Sequence, residues 1–275
     1  MPQVFRPAVV LALRRLWRLH GLRFPLVAVH RVIWFLSRTA FGPRRFTWGG
    51  RNLRYFLHPF LMDTERCVEV PIARDFLEGQ PPDAVLEVGN VLSTYQGVSH
   101  RVLDLYEQAT GVVNEDAADF AWTERFDRIV CLSTVEHVGR DEPVQDPEKA
   151  ERALRNLRRH LTPDGQLLVT FPLGYHPQLD QALASGRLGE LSCIYLRRMS
   201  RWNSWTETDA RSARGAQFGS PYPCGNVVAV LRLTHLDSAL IDPLRGDPFH
   251  GDPFHGDPFH GDPVHGDPFH GDLED

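Results

Sequence analysis

Four acidic patterns follow short apolar runs along the middle of the chain, and each could present a carboxylate at the end of a buried strand. Val85-Leu86-Glu87-Val88-Gly89-Asn90 puts an acid and then a glycine after an apolar segment. Asp104 follows Arg101-Val102-Leu103, and Glu115-Asp116-Ala117 comes just after Gly111-Val112-Val113. Phe126 to Leu132 runs into Ser133-Thr134-Val135-Glu136-His137. A glycine at a strand end allows a tight turn and a close approach of ligand to backbone. Carboxylates at neighbouring strand ends can accept hydrogen bonds from ribose hydroxyls and from an adenine amino group. Any one of these acids, taken alone, reads equally well as a solvated loop residue or a helix cap. Their recurrence at successive strand ends is what joins them.

The elements that must position them are short parallel strands. Ala84 to Glu87, Arg101 to Leu103, Gly111 to Val113, Arg128 to Leu132 and Gln166 to Phe171 are apolar runs bounded by polar or turn residues, the pattern of strands buried on both faces. Asp146 as N-cap and Pro147 in the first turn open a helix carrying Ala150, Ala153, Leu154, Leu157 and Leu161 on one face. Thr162-Pro163-Asp164-Gly165 is a turn that ends it. Cys193 to Arg197 and Asn226 to Leu233 can supply edge strands, residues 39–64 read as a connecting stretch, and Arg66 to Leu77 as alternating burial or a short helix. Strands alternating with helices predict an open α/β sheet. No G-x-G-x-x-G follows a strand, which disfavours a nicotinamide-dependent dehydrogenase.

The flanks differ from this body. Eleven arginines and no lysine, aspartate or glutamate fall within residues 1–62, leaving 19 of the 30 basic residues to face all 35 acids. A basic arm of this kind suits an anionic surface, phospholipid or nucleic acid. Within it, Pro7 to about His20 and Pro25 to about Ser37 have helical apolar periodicity, with Arg14, Arg15 and Arg18 off the first stripe. Two roles fit these helices: packing on the body, or an in-plane anchor on an anionic membrane through residues 7–37. Arginines interrupt every candidate for a membrane-spanning helix. An Arg-rich, acid-free N-terminus also suits an organellar transit peptide, although serine is scarce in it. Cys67, Cys131, Cys193 and Cys224 form no C-x-x-C pair, so neither a metal site nor a disulfide framework is expected, and free thiols in a reducing cytoplasm fit best. From Gly246 the pentad Gly-Asp-Pro-Phe-His repeats, with Val264 as its one variant, and proline and glycine in every unit predict a disordered tail.

In sequence order the array acid-x-Gly, acid, Glu-Asp, Phe-Asp, Glu-His, Pro-Asp-Gly resembles the class I S-adenosylmethionine-dependent methyltransferases, in the subgroup with Glu-His after the fourth strand. That resemblance implies a Rossmann-like fold: an open, doubly wound, mostly parallel sheet of seven strands over residues 65–240. A helical N-terminal extension (1–64) precedes it and the repeat tail (241–275) follows. It implies S-adenosylmethionine as cofactor, with Glu87, Gly89 and Asn90 along its methionine and sugar part. Asp104 becomes the ribose ligand, and Asp116 and Ala117, with Glu115 beside them, the adenine clasp. Ser133, Glu136 and His137 then lie beside the sulfonium and the acceptor, and Pro172, Gly174, Tyr175 and His176 in the acceptor pocket.

A hydroxyl acceptor gains from a general base, for which His137 is the first candidate and His176 the second. His137 can equally be a helix-start residue bonded locally. The acceptor this favours is a small-molecule or glycan-like hydroxyl, met in the cytoplasm or at its membrane surface, with nucleic acid the weaker alternative and the oligomeric state open. Two departures from the family pattern keep a second reading in view. Gly89 is followed by Asn90-Val91-Leu92-Ser93 instead of further glycines, and the stretch to Asp104 is short. A catalytically inactive, methyltransferase-like scaffold, associating with membrane or a protein partner through its N-terminal helices, accommodates both.

Overall fold

A computed structural model describes residues 29, 32, 33, 35, 36, 39, 40, 42, 44–58, 64–190 and 192–236. The first expected N-terminal helix and the repeat tail lie outside the described residues. Of the second helix, Val29, Val32, Ile33, Phe35 and Leu36 are helical, as are Thr39 and Ala40 beyond its expected end.

The connecting stretch contains a hairpin that sequence reasoning did not anticipate. Strands β1 (Arg45–Trp48) and β2 (Arg51–Arg54) pair antiparallel. Gly49 and Gly50 turn between them at φ 56° and 76°, a double positive φ that glycine adopts without strain. The hairpin belongs to the body's core: Phe46 and Trp48 are buried in one cluster with Val68, Ile72 and Val230.

The main sheet has eight strands in the order β5-β4-β3-β6-β7-β10-β8-β9. These are β3 (Val85–Val88), β4 (Arg101–Leu103), β5 (Val112–Val113), β6 (Phe126–Leu132), β7 (Leu161–Pro172), β8 (Ser192–Arg198), β9 (Trp205–Thr208) and β10 (Val227–Thr234). The first five pair parallel, and the last three add antiparallel. The count is one more than expected, because β9 extends the edge beside β8. The run ending at Leu233 is no edge strand: β10 sits between β7 and β8, where its near-continuous burial is satisfied on both faces.

Alternation along the central strands divides the core in two. Ile129, Cys131, Leu167, Val169, Phe171, Ala229 and Leu231 face helices α3 (Lys149–Arg159) and α4 (Pro177–Ala184). Val130, Leu132, Leu168, Val228 and Val230 face α1 (Arg66–Phe76) and the hairpin. Helices on both sides of a parallel centre make the sheet doubly wound.

Two local expectations change. Helix α3 begins at Lys149, two residues later than expected, while Asp146 still accepts the Glu148 N–H at 3.0 Å and pairs with Arg152 at 2.7 Å ahead of it. The Thr-Pro-Asp-Gly turn is absorbed into β7 as a bulge: Phe126 pairs with Leu161 but Arg128 with Gln166. Gly165 is needed there, since a Cβ would lie 2.8 Å from the Phe126 carbonyl oxygen.

Strand order reverses between β3 and β6, and open α/β sheets bind ligands at the carboxyl ends of strands flanking such a point. Gly89, Asp104, Asn114 and Ser133 directly follow β3, β4, β5 and β6 on that edge.

Candidate active site

A cleft of about 860 Å³ opens at this edge, within the usual range for small-molecule sites. Gly89, Asn90, Asp104, Glu115, Asp116, Ala117, Ser133 and His137 all line it.

The turn after β3 depends on Gly89. Its φ is +77°, and a Cβ there would fall 2.0 Å from Thr134 Oγ1. The turn therefore packs against the one that follows β6. Short helix α2 (Leu92–Tyr95) comes next, and Asn90 Oδ1 is buried with no hydrogen-bond partner among the described residues. Asp104 Oδ1 accepts the N–H groups of Tyr106 and Glu107 at 2.9 and 2.8 Å, which fixes the loop beyond β4. Among the described residues its Oδ2 has only the Asn90 N–H at 3.4 Å, a distance that leaves accepting capacity unused. Glu115 accepts from Trp122 Nε1 at 3.2 Å. Asp116 accepts the Ala118 N–H and pairs with Lys149 at 2.5 Å, and Lys149 also reaches Glu142.

Six expected site residues are not among the cleft's lining: Pro172, Gly174 and Tyr175 at and beyond the end of β7, and Glu87, His176 and Glu136. Glu87 is 1% exposed and does not line the cleft: its carboxylate takes the Leu92 N–H and pairs with His100 Nε2 at 2.9 Å, bracing the glycine turn from behind. His176 is 1% exposed and caps α4, its Nδ1 accepting the Leu179 N–H at 3.2 Å, so it is not placed to act as a base in the cleft. Glu136 is 2% exposed and also lies behind the lining.

Behind the cleft is a polar network that sequence reasoning missed. Glu69 on α1 is fully buried and accepts from Ser133 Oγ at 2.5 Å, Thr170 Oγ1 at 2.7 Å and Arg66 at 2.8 Å. Arg66 also donates to the carbonyls of Leu132 and Ser133 at 2.8 and 3.2 Å. Together they hold Ser133 at φ +37°, an unusual backbone state for a residue with a side chain. Arg66 is the sole arginine or lysine among the described lining residues. Its Arg-x-x-Glu spacing becomes meaningful only once the segment is known to be a helix packed on β6 and β7.

Burial pushes the carboxyls of Glu65 and Glu136 up, Glu136 well above the ordinary glutamate value, with Glu69 adding to both and Arg66 opposing. The folded state thus holds the Glu136 proton more tightly than the unfolded chain does. Its contribution to stability is complete below the ordinary glutamate range and drains away as pH rises through the raised value. Glu136→Gln, neutral at every pH, is therefore expected to be more stable than the parent at pH 7 and equal to it near pH 4, by about 1.4 kcal/mol for each unit of displacement. Urea unfolding at a series of pH values reads this directly, and a pH-independent difference would show that Glu136 is charged in the fold.

His137 ends a 3-10 turn (Val135–His137) directly after β6. Its Nδ1 lies 2.5 Å from Asp141 Oδ2, the oxygen to which Tyr175 OH donates at 2.6 Å. Tyr175 packs edge-on against His137 at 5.0 Å and against Phe218 at 4.9 Å.

No protein-family model matches the chain, and no curated protein matches it. Among solved structures, it is similar to the N-methyltransferase NodS from Bradyrhizobium japonicum bound to S-adenosylhomocysteine, at 13% identity and a TM-score of 0.39, over 63% of this chain and 88% of that one. It is also similar to a sugar N-methyltransferase, KedS8, from Streptoalloteichus, at 14% identity and a TM-score of 0.31, over 61% and 87% of the two chains.

Proposed function

We propose that this chain is a class I S-adenosylmethionine-dependent methyltransferase acting on a small-molecule or glycan-like hydroxyl. The observation that carries the reading is the cleft at the sheet's reversal point, where the tight Gly89 turn follows β3 and two carboxylates, Asp104 and Asp116, follow the adjacent strands β4 and β5.

The residues present fit the cofactor. Asp104 Oδ2 has unused capacity for ribose hydroxyls, and Asp116 with Ala117 stands where an adenine edge would be read. Asn90 Oδ1 is a buried acceptor without a donor, and Arg66 is a counter-charge for the cofactor's carboxylate. When bound, S-adenosylmethionine supplies an electrophilic methyl group on a positively charged sulfur. The protein's own task is to hold an acceptor oxygen in line and near contact, which accounts for most of the acceleration such a reaction needs. His137, half-exposed in the cleft, is the group that receives the acceptor's proton.

Asp104→Ala is expected to weaken S-adenosylhomocysteine binding ten- to a hundredfold, roughly the 1.5–3 kcal/mol of a hydrogen bond to a charged group. Calorimetric titration of parent and variant measures it, and equal affinities would remove Asp104 from the site.

A second reading, an inactive scaffold, is favoured by Asn90 and Val91 lining the cleft where the family pattern has further glycines. The basic extension supports peripheral contact with an anionic membrane: Val29, Val32, Ile33 and Leu36 are exposed helical residues within it. Among the described residues no helix is long and apolar enough to cross a membrane.

A further inference from the structure

The cleft contains a further acid, Asp141, whose place is explained neither by a nucleotide nor by packing. Asp141 lies four residues beyond His137, and its own N–H donates to the His137 carbonyl at 3.0 Å, so one turn of chain carries both side chains. Its Oδ2 is held from two sides, by His137 Nδ1 at 2.5 Å and by Tyr175 OH at 2.6 Å. Tyr175 in turn is fixed by Phe218 behind it and by the Arg140 guanidinium over its ring at 5.1 Å.

This arrangement distinguishes the two nitrogens of His137. A carboxylate accepts hydrogen bonds and cannot donate them, so the nitrogen facing Asp141 must carry a proton. The other nitrogen, Nε2, then keeps its lone pair. The nearest acid to it is Glu136, with Oε1 at 3.7 Å, beyond hydrogen-bond range. Burial tends to raise the Asp141 pKa, but the hydrogen bonds from Tyr175 and His137 and the charge of Arg140 outweigh it and leave it below the ordinary aspartate value. Glu136, pushed up by burial, is no competing counter-ion for Nε2.

We propose that Asp141 is a positioning residue, braced by Tyr175, that fixes His137 in the Nδ1–H tautomer so that Nε2 takes the proton of an acceptor hydroxyl. This rests on the methyltransferase reading and deepens it, since it commits the acceptor to a group whose proton must be removed as its oxygen attacks. The O–H bond breaks with its electron pair left on oxygen, the proton forms a bond to Nε2, and the resulting imidazolium is stabilised by the Asp141 carboxylate. His137 is half-exposed, so the proton then passes to solvent.

The test is ¹⁵N NMR of the histidine-labelled full chain, followed to high pH until the ring resonances no longer change, with His137→Gln to assign the resonance. The parent is expected to show His137 mainly protonated at Nδ1. In Asp141→Ala that form should fall to a minority as the ring reverts to the Nε2–H tautomer favoured by free histidine. Asp141 is 43% exposed in its side chain, so the variant should fold. A parent already protonated at Nε2, or a tautomer unchanged in Asp141→Ala, would overturn the assignment. Failure of the methyltransferase reading looks different: the parent would not bind S-adenosylhomocysteine, whatever its tautomer.

Discussion

Gly89→Ala is expected to lower stability by about 2–5 kcal/mol and to reduce S-adenosylhomocysteine affinity at least a hundredfold. Two costs add. At φ +77° a residue with a Cβ is strained by roughly 1–2 kcal/mol. The added methyl would also meet Thr134 Oγ1, Cγ2 and Cβ at 2.0, 2.6 and 2.7 Å, an overpacking of roughly 1–3 kcal/mol. Rotating Thr134 cannot relieve this, because its Cβ is itself too close. The turn after β6 must move, and with it Ser133 and His137, which line the cleft. Adding Thr134→Gly should recover the steric part and leave the backbone part, which a double-mutant cycle in urea separates. Parent-like stability and affinity in Gly89→Ala would contradict the packing of these two turns.

His137→Ala is expected to slow turnover of a hydroxyl acceptor about a hundredfold, the usual contribution of one general base. S-adenosylhomocysteine affinity should stay at the parent value. Stability should shift by no more than about 0.5 kcal/mol, since His137 is half-exposed and its partner Asp141 keeps the hydrogen bond from Tyr175. The separation matters: Gly89→Ala damages fold, affinity and rate together, whereas His137→Ala should damage the rate alone. Steady-state rates with a panel of small glycosides and phenols give the comparison, and an undiminished rate dismisses His137 as the base.

Much of the fold was legible because parallel strands buried on both faces leave unbroken apolar runs. Val85–Val88, Arg101–Leu103 and Phe126–Leu132 lie within one or two residues of where the pattern put them. The glycine and the acids that follow them were legible for the same reason, since a strand end is the position where composition changes abruptly. Two peripheral elements were not. Trp205–Thr208 is short and half-exposed, and the Arg45–Arg54 hairpin is mostly arginine and aromatics, its one clear signal being the Gly49-Gly50 pair.

At the site, residue type predicted chemistry but not direction. His176 and His137 look equivalent in sequence, yet one caps a helix out of solvent and the other faces the cleft. Glu87 has the right neighbours for a ligand contact and points behind the turn instead. Arg66, Glu69 and Asp141 were unreadable for a different reason. Their partners are Ser133, Thr170 and Tyr175, distant in sequence or on separate elements, and only the packing of α1 and the β7 loop against β6 brings them together.

The cleft at the carboxyl ends of β3, β4, β5 and β6 is proposed to bind S-adenosylmethionine. Isothermal titration of the full chain with S-adenosylmethionine and S-adenosylhomocysteine tests it most directly. Single-site binding in the micromolar range, about −8 kcal/mol, weakened by Asp104→Ala and abolished by Gly89→Ala, is the result this structure predicts. A folded parent protein that takes up neither compound at millimolar concentration would contradict the claim and bring the scaffold reading forward.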